Sequence, residues 1–267
     1  MKLLKIADEE HAELDEHFDD VSTQSLEQIA PEVRGKEPDI NIEGSSIEEF
    51  DCVFAQIPPK NAVFGRVLLE IMEEKGVHVN YSSTAFFLMS KKNYLYHSLH
   101  EKSIPAPKTC VVADQKAVRN LENHLKGPLV ARKFDGLVEI EKTKIEQVEE
   151  IQEFAEGVDY GDNILIFSEL RKGDKYRCLV AGETVISLED TSDGWRVSDE
   201  NLAYSNISNG LEETVLNAAE SIGTRTAEIV LRDGKVVDVN PNPDLEMYTE
   251  ISGKDAYKAV AEELKED

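Results

Sequence analysis

The chain has 267 residues, long enough for one large domain or for two to three small lobes. Hydrophobic residues make up 40% and charged residues 31%, a balance that supports a packed core and excludes a wholly disordered chain. The 54 acidic and 29 basic residues give a net charge of −25, and a field of that sign repels nucleic acids and anionic membranes. No run approaches the ~20 apolar residues of a membrane helix.

The cysteines indicate a reducing compartment. Cys52, Cys110 and Cys178 lie far apart and are odd in number, so they form neither a disulfide framework nor a CxxC metal motif. The N-terminal residues turn acidic after a short apolar stretch, unlike a secretory signal. We therefore expect a cytoplasmic protein.

The acidic excess is spread along the whole chain and has two interpretations. One is a surface that binds a protein partner through its negative charge. The other, which we favour, is a salt-adapted (halophilic) cytoplasm, where molar salt screens the self-repulsion of such a surface. Neither interpretation indicates a particular chemistry.

The first 80 residues predict a small layered α/β lobe. Residues 8–50 are acidic and only weakly periodic, and they predict no element. Apolar residues recur at helical spacing from Phe64 to Met72. Short apolar runs predict strands at residues 3–6, 50–55 and 77–80.

The rest of the chain predicts mixed helices and strands, typical of α+β lobes. The predicted helices cover residues 84–102, 115–125, 144–156, 211–222 and 257–264. The predicted strands cover residues 110–112, 129–131, 164–167, 176–181, 184–188, 226–231 and 235–239.

A turn signal between the last two strands predicts a hairpin, and two turns compete for it. A two-residue turn at 233–234 would turn Glu228 away from Asp238. A three-residue loop closed by Leu231 and Lys235 would place Glu228 directly opposite Asp238. We expect the three-residue loop.

The expected hairpin carries two acids and an amide on one face. Like charges opposite each other destabilise a hairpin, so we expect a cation between Glu228 and Asp238, and we expect removal of Asp238 to relieve repulsion. With the amide of Asn240, these are the hard oxygen ligands that Mg²⁺ prefers beside nucleotide phosphates. The alternative is a merely exposed acidic hairpin.

This stretch resembles the metal-binding end of ATP-grasp ligases, in particular the RimK-like branch. That family has an acidic residue on one strand and Glu-x-Asn on the next. Here Glu228, Asp238 and Asn240 match, with Asp in place of the second Glu.

The resemblance extends upstream and covers roughly residues 45–267. Lys92 lies where the family has a nucleotide-contacting lysine before a helix that ends in an "IPxPxT" segment, here at 104–109. Residues 177–182 resemble the family's "RCLVxG" strand, and Glu169 lies where its "QE" hinge leads in. Order and spacing together, more than any single motif, carry the likeness.

The resemblance implies an α+β ATP-grasp fold with a small α/β lobe at 1–88 and an ATP-grasp domain at 89–267, divided into lobes at 89–165 and 166–267. It implies a ligase that uses ATP and Mg²⁺ (or Mn²⁺) to phosphorylate a carboxylate, after which an amine attacks the acyl phosphate. The substrates would be small-molecule or peptide carboxylates and amines. Neither a nucleic acid nor a membrane is expected as a partner, and the oligomeric state is open.

The same resemblance assigns roles to individual residues, each of which also has a plainer structural interpretation as a surface or packing residue. Arg177 is the expected catalytic residue, stabilising the acyl-phosphate oxygens. The expected nucleotide-binding residues are Lys92, Arg132, Lys133 and Glu169. The expected metal ligands are Glu228, Asp238 and Asn240.

The sequence departs from the family pattern in three places; the first, a short loop, favours a rival without catalysis, and the third means that the substrate cannot be carried over. Arg132 replaces the usual lysine, and the loop at 135–138 keeps one glycine where the family has a glycine-rich cover for the phosphates. Lys175 replaces an acid, and the acidic segment 189–194 replaces a basic one. The rivals to a ligase are a non-catalytic nucleotide-binding protein and an acidic interaction protein. Catalysis would still be possible if residues 193–196 covered the phosphates in place of the short loop.

The salt-adapted interpretation makes a testable prediction. Lowering the salt from molar to millimolar lengthens the Debye screening distance from about 3 Å to about 30 Å, so the acids repel one another over a longer range. We expect the melting temperature to fall steadily over that range in a KCl series. A melting temperature that is independent of KCl would contradict the salt-adapted interpretation.

Overall fold

The computed structural model describes residues 1–7, 11–32, 38–136, 138–161, 163–198 and 200–266. Parts of the acidic stretch 8–50 lie outside these ranges, as does Leu137 in the loop at 135–138. No helix in the described ranges is long and apolar enough to cross a membrane.

The chain begins with an α/β lobe built on a parallel sheet with strand order β2-β1-β6-β7. The central strands β1 and β6 are almost wholly buried, because layers cover both faces of the sheet. A second, three-stranded sheet has the order β3-β4-β5. The strands are β1 (Lys2–Ile6), β2 (Asp20–Gln24), β3 (Pro31–Glu32), β4 (Asp39–Ile42), β5 (Ser45–Ser46), β6 (Cys52–Ala55) and β7 (His78–Val79). The helices are α1 (Ala12–Asp15), α2 (Ala62–Glu74) and α3 (Ser83–Ser90).

The next lobe is an antiparallel sheet with strand order β10-β9-β11-β8. The predicted helix at 84–102 is divided at Lys91, whose ψ of 84° is not helical. The predicted helix at 144–156 begins later, because the chain up to residue 145 is a strand. The helices are α4 (Lys92–Glu101), α5 (Gln115–Val118) and α6 (Val148–Ala155), and the strands are β8 (Thr109–Val112), β9 (Leu129–Asp135), β10 (Val138–Ile145) and β11 (Ile164–Glu169).

The last lobe is an antiparallel sheet with strand order β14-β13-β12-β15-β16. Its strands are β12 (Lys175–Ala181), β13 (Thr184–Asp190), β14 (Leu202–Tyr204), β15 (Thr226–Arg232) and β16 (Lys235–Asn240). Its helices are α7 (Asn209–Ile222), α8 (Leu245–Ser252) and α9 (Ala256–Leu264). The predicted α+β class, with a small α/β lobe at the start, is confirmed.

The apolar core links the first and last lobes directly. Leu4 and Val53 of the parallel sheet belong to the same buried cluster as Val180 and Ala227 of the last sheet. The middle lobe has a separate core between its sheet and α5 and α6. The division at residues 88 and 89 falls inside α3, and that at 165 and 166 inside β11; these boundaries stay predictions.

Helix α2 closely approaches Phe86 of α3 and Ile57, which follows β6, at Gly65. A Cβ atom at this position of α2 would lie 2.7 Å from Cε1 of Phe86 and 2.8 Å from Cγ2 of Ile57. Only glycine therefore lets α2 pack so tightly on α3 and on Ile57. The backbone N–H of Ile57 also donates to the buried Tyr81 hydroxyl at 3.2 Å.

We expect Gly65→Ala to lower the free energy of unfolding by about 1 kcal/mol or more, because overpacking outweighs the gain in helix propensity. Chemical denaturation measures this change. The matched control is Gly210→Ala in α7, where, apart from its chain neighbours and its own helix backbone, no atom of the described residues lies within 4 Å of the added methyl group. Equal stability of the two variants would contradict the packing argument.

Candidate active site

A cleft with a cavity volume of about 220 Å³ separates the sheets of the middle and last lobes. Strand β9 contributes Arg132, and its antiparallel neighbour β10 contributes Lys142, which lies directly opposite. From the other side, β12 contributes Arg177, and the β15–β16 hairpin contributes Glu228 and Asp238. These five charged side chains, together with Glu169 of β11 and Arg232 of β15, bring charges from two sheets into one small cavity.

Strand alternation brings Arg132 to the cleft and turns Lys133 away from it. The Arg132 residue is only 4% exposed and faces the hairpin. Lys133 instead pairs with Glu141 at 3.2 Å and lies over the ring of Phe154, 4.9 Å from its centroid, on the helix-covered face. Of the two adjacent cations expected at the nucleotide, the structure places only Arg132 in the cavity.

The β15–β16 hairpin closes with a two-residue turn, so the expected three-residue loop is wrong. Arg232 pairs with Lys235, and the intervening Asp233 and Gly234 have φ angles of 51° and 69°, both in the left-handed region that a type I′ turn requires. The reason is twist: this turn matches the right-handed twist of the flanking strands. This turn by itself would place Glu228 opposite Val239; with the register shift between Val230 and Leu231, Glu228 lies opposite Asn240 and not opposite Asp238.

A β-bulge nevertheless brings the three expected metal ligands to one face. Leu231 pairs with Val236, but Val230 pairs with Asp238, so β16 has one extra residue, Val237. The extra residue reverses the alternation along β16. Glu228, Asp238 and Asn240 therefore point to the same side and line a common cavity.

Helix α4 covers the free edge of β16. The Lys92 Nζ donates to the Val239 carbonyl at 2.7 Å, and the Tyr96 hydroxyl donates to the Val237 carbonyl at 2.8 Å. An uncovered edge strand would leave these carbonyl oxygens without protein partners. The same contacts hold Lys92 beside the acids of the hairpin.

Asp238 is neutralised by cations of the middle lobe. Its Oδ1 lies 2.5 Å from the Lys92 Nζ, and its Oδ2 lies 3.4 Å from Nη1 of Arg132, which also bonds Glu139 at 3.1 Å. Burial disfavours the Asp238 charge, but Lys92, Arg132 and Lys142 outweigh it and hold the pKa of this carboxyl well below its usual range. We therefore expect removal of Asp238 to lower the stability of the fold and not to raise it, because these cations would lose their carboxylate.

Glu228 has its own, separate partners. Its carboxylate is 3% exposed and accepts two hydrogen bonds from Arg177, from Nε at 2.7 Å and from Nη2 at 3.0 Å. The buried Tyr248 hydroxyl donates to Oε2 at 3.0 Å. Burial and the adjacent Glu228 charge raise the pKa of Tyr248 well above its usual value, so this phenol stays a donor.

Among the described residues, the two hairpin acids thus have different cationic partners, Lys92 and Arg132 for Asp238 and Arg177 for Glu228. The chemistry of the donor set fits Mg²⁺, because Glu228, Asp238 and Asn240 offer two carboxylates and an amide oxygen. The Asn240 oxygen already accepts the Asn242 N–H at 3.1 Å. Within the described ranges no three His, Cys, Asp or Glu residues form a metal-binding group, so a metal here would need further oxygens from water or phosphate.

Lys142 is a cleft residue that the sequence analysis missed. Burial and the neighbouring Arg132 lower its pKa, and its Nζ makes no hydrogen bond or salt bridge with any residue in the described part of the chain. Strand β10 has charged or polar residues at most positions, so its sequence lacks the alternation of apolar and polar residues that would have predicted a strand. Pairing with β9, visible only in the fold, is what places Lys142 opposite Arg132.

Glu169 and residues 195–197 also line the cleft. Glu169 ends β11, and its carboxylate lies 3.5 Å from Nη2 of Arg171. Trp195 lines the same cavity, and the guanidinium of Arg196 lies 4.9 Å from the Trp195 ring centroid. Arg196 also donates to the Lys142 carbonyl at 2.5 Å, which joins the last lobe to the middle lobe.

Lys175, which stands where the resemblance implies an acid, anchors the segment 190–198, which includes residues 195–197. Its Nζ pairs with Asp190 at 2.9 Å and donates to the Ser192 and Gly194 carbonyls. Burial opposes the Asp190 charge, but hydrogen bonds from Ser192 and Ser198 and the lysine lower its pKa to about 2. The departure at Lys175 therefore has a structural role.

We expect Asp238→Asn to lower the free energy of unfolding at pH 7 by about 3 kcal/mol, because it leaves buried cations unpaired. The folded pKa of Asp238 lies below the unfolded value of about 3.9, so its stabilisation is complete above that pH and is lost as pH falls. Denaturant titrations from pH 7 to pH 2 should show the difference from the wild type narrowing below about pH 4.

The control for this change is Asp233→Asn, the same substitution in the turn of the same hairpin, where asparagine also tolerates a positive φ. It should change the stability little at any pH. A loss that is the same at pH 7 and pH 2 would contradict the assigned role of the Asp238 charge.

Comparison with known proteins finds its matches among solved structures. The sequence matches no family model, and no curated protein matches it. The ATP-grasp ligase PsnB, complexed with a minimal precursor, is similar with a TM-score of 0.74 at 17% identity, over 98% of this chain and 97% of that one. A RimK domain ATP-grasp protein from Sphaerobacter thermophilus has a TM-score of 0.74 at 18% identity, over all of both chains. The macrocyclase MdnC from Microcystis aeruginosa, bound with precursor peptide MdnA, has a TM-score of 0.68 at 12% identity, over 99% of both chains. The chain therefore has the ATP-grasp fold along essentially its whole length.

Proposed function

We propose that this chain is an ATP- and Mg²⁺-dependent carboxylate–amine ligase that works through an acyl phosphate. The observation that carries the proposal is the pairing of opposite charges in the cleft, where Lys92 and Arg132 meet Asp238 and Arg177 meets Glu228. MgATP has the complementary arrangement, with anionic phosphates and a bound cation. The cations of the cleft suit the phosphates, and the acids suit the metal.

The neighbours add support through what they bind. One structure of PsnB contains a minimal precursor, Mg and ADP, and it resembles this chain with a TM-score of 0.72 at 17% identity. From PsnB we propose only a nucleotide and Mg²⁺ for this chain, and not the precursor peptide, because the two sequences are only 17% identical. Carboxylate and amine substrates remain a proposal at the level of chemical class.

In the proposed mechanism, the residues of the chain neutralise and orient charge. Lys92, Arg132 and Lys142 contact phosphate oxygens, and Arg177 stabilises the oxygens of the acyl phosphate as it forms. Glu228, Asp238 and Asn240 would hold Mg²⁺, which supplies charge neutralisation at the phosphates. Tyr248 keeps Glu228 in place through its hydrogen bond. Lys133 has no part, because it faces the opposite side of β9.

The second candidate function is a nucleotide-binding protein without catalysis. Two features favour it: Glu139 of β10 places a carboxylate on Arg132, and the sequence at 135–138 has a single glycine, Gly136. A carboxylate here competes with phosphate for the same guanidinium. Turnover decides between the two functions: formation of ADP that requires both a carboxylate and an amine supports the ligase, and tight MgATP binding with no ADP supports the binder.

We expect Asp238→Asn to abolish the Mg²⁺-dependent part of ATP affinity, because one carboxylate and an amide hold Mg²⁺ poorly against water. Titrations of ATP with and without Mg²⁺, in molar KCl, measure this part directly. Asp233→Asn is the control and should bind MgATP like the wild type. Unchanged MgATP affinity of Asp238→Asn would contradict the metal assignment.

We expect Glu139→Gln to raise MgATP affinity about three- to tenfold, because it removes an anion that competes for Arg132. The control is Glu141→Gln, two residues along the same strand, whose partner Lys133 faces away from the cleft. The same titrations measure both variants. A loss of affinity in Glu139→Gln, or an equal gain in both variants, would show that Glu139 does not compete with phosphate.

A further inference from the structure

A second cavity, of about 510 Å³, lies beside the acids of the hairpin. Glu228, Val230 and Asp238 line both this cavity and the nucleotide cleft, so the two spaces meet at the proposed metal ligands. A molecule in the second cavity would therefore lie next to the phosphates of a nucleotide in the first. We call this second space the acyl cavity.

The first lobe forms one side of the acyl cavity. The loop after β6 contributes Pro58 and Lys60. This loop is held against the hairpin, because the Asn242 Nδ2 donates to the Ile57 carbonyl at 2.9 Å. The position of Lys60 relative to the acids is thus defined by a contact between lobes.

The other walls are largely apolar. Met89 at the end of α3 is 0% exposed, and Phe134 of β9 is 4% exposed. Val138, on the adjacent strand, presents an apolar side chain that is 46% exposed. An apolar group placed against Val138 and Phe134 would be removed from water, which favours binding by about 25 cal/mol for each Å² buried. Met89 is already fully buried and adds no further area.

Two polar groups of the acyl cavity lack partners. Ser90 is 4% exposed, and its hydroxyl makes no hydrogen bond with any atom of the described residues. A buried hydroxyl without a partner is unfavourable, so it marks a place for a polar ligand atom. Lys60 is exposed and makes no salt bridge within the same ranges, unlike Lys92, which Asp238 neutralises.

We propose that the acyl cavity binds the carboxylate substrate, and that this substrate is a small monocarboxylic acid with an aliphatic or aromatic body. Lys60 and the Ser90 hydroxyl contact the carboxylate, and Phe134 and Val138 contact the apolar body. This assignment rests on the proposed ligase function. If the substrate were a peptide, more of the peptide chain would be needed for binding; this assignment predicts that an isolated apolar acid is sufficient to bind.

The step that this arrangement serves is a phosphoryl transfer. A carboxylate oxygen of the acid attacks the γ-phosphorus of ATP, and the bond from that phosphorus to the β–γ bridging oxygen breaks. ADP leaves with the electron pair, and no proton is transferred. The product is an acyl phosphate, which an amine then attacks to form the amide and release phosphate.

Calorimetric titration in the presence of MgADP tests the site without turnover. We expect 3-phenylpropionate to bind about tenfold or more tightly than succinate, which lacks an apolar body. We expect the uncharged 3-phenylpropionamide to bind about tenfold more weakly than the acid. Comparable binding of all three compounds, or no binding of 3-phenylpropionate, would overturn the assignment.

Matched variants locate the binding. Lys60→Met and Val138→Asn should each weaken 3-phenylpropionate binding about tenfold. The controls are Lys126→Met, at another exposed lysine, and Val111→Asn, at a valine that is also 46% exposed but lies on β8. Melting temperatures verify that the variants fold. Equal loss in variants and controls would overturn the assignment.

Hydroxylamine separates this inference from the ligase proposal, because it converts an acyl phosphate into a hydroxamate and phosphate without any natural amine. Specific binding of 3-phenylpropionate with neither hydroxamate nor ADP would leave the acyl cavity supported and contradict the ligase. Hydroxamate formed from succinate, together with no binding of 3-phenylpropionate, would support the ligase and overturn the acyl cavity assignment.

Discussion

The cleft depends on the ion pairs that the Asp238 carboxylate makes with Lys92 and Arg132. Asp238 lies on the last lobe, yet both of its close cations belong to the middle lobe. Without the carboxylate, three cations including Lys142 would face one another in a partly dry space. Without the cations, Asp238 would lie beside the buried Glu228 with nothing to offset its charge. The pairing therefore joins the middle lobe to the last lobe, and it allows both the cations and the acids to remain ionised in the cleft.

This pairing has a consequence for any ligand of the cleft. A phosphate that binds Arg132 must displace Asp238 and Glu139 from it, so part of the gain from a new ion pair is spent on breaking an existing one. The partial exposure of Asp238 and Glu139 makes that exchange feasible. Glu228 is different: it is buried and is held by Arg177 and Tyr248, whereas Asp238 and Glu139 are partly exposed.

The position of the first lobe gives the site a second side. Its core is continuous with that of the last lobe, and the tight contact at Gly65 together with Asn242 brings the loop at 58–60 to the hairpin. The proposed nucleotide residues come from the middle and last lobes, whereas the proposed acyl cavity also needs the first lobe. The selection of a carboxylate would then depend on the packing of the first lobe against the last, whereas nucleotide binding would depend only on the packing of the middle lobe against the last.

Local sequence determined those features that local physics controls. The apolar runs predicted β1, β6 and four strands of the last sheet, β12, β13, β15 and β16, but not β14. The acid–acid–amide pattern of Glu228, Asp238 and Asn240 indicated a common face. Only the tertiary structure decided how that face arises, since a tight type I′ turn and the bulge at Val237 replace the expected loop. It likewise decided that Arg132 and Lys142 meet Asp238, because charges brought together from separate strands follow from sheet pairing and lobe packing, which no local pattern encodes.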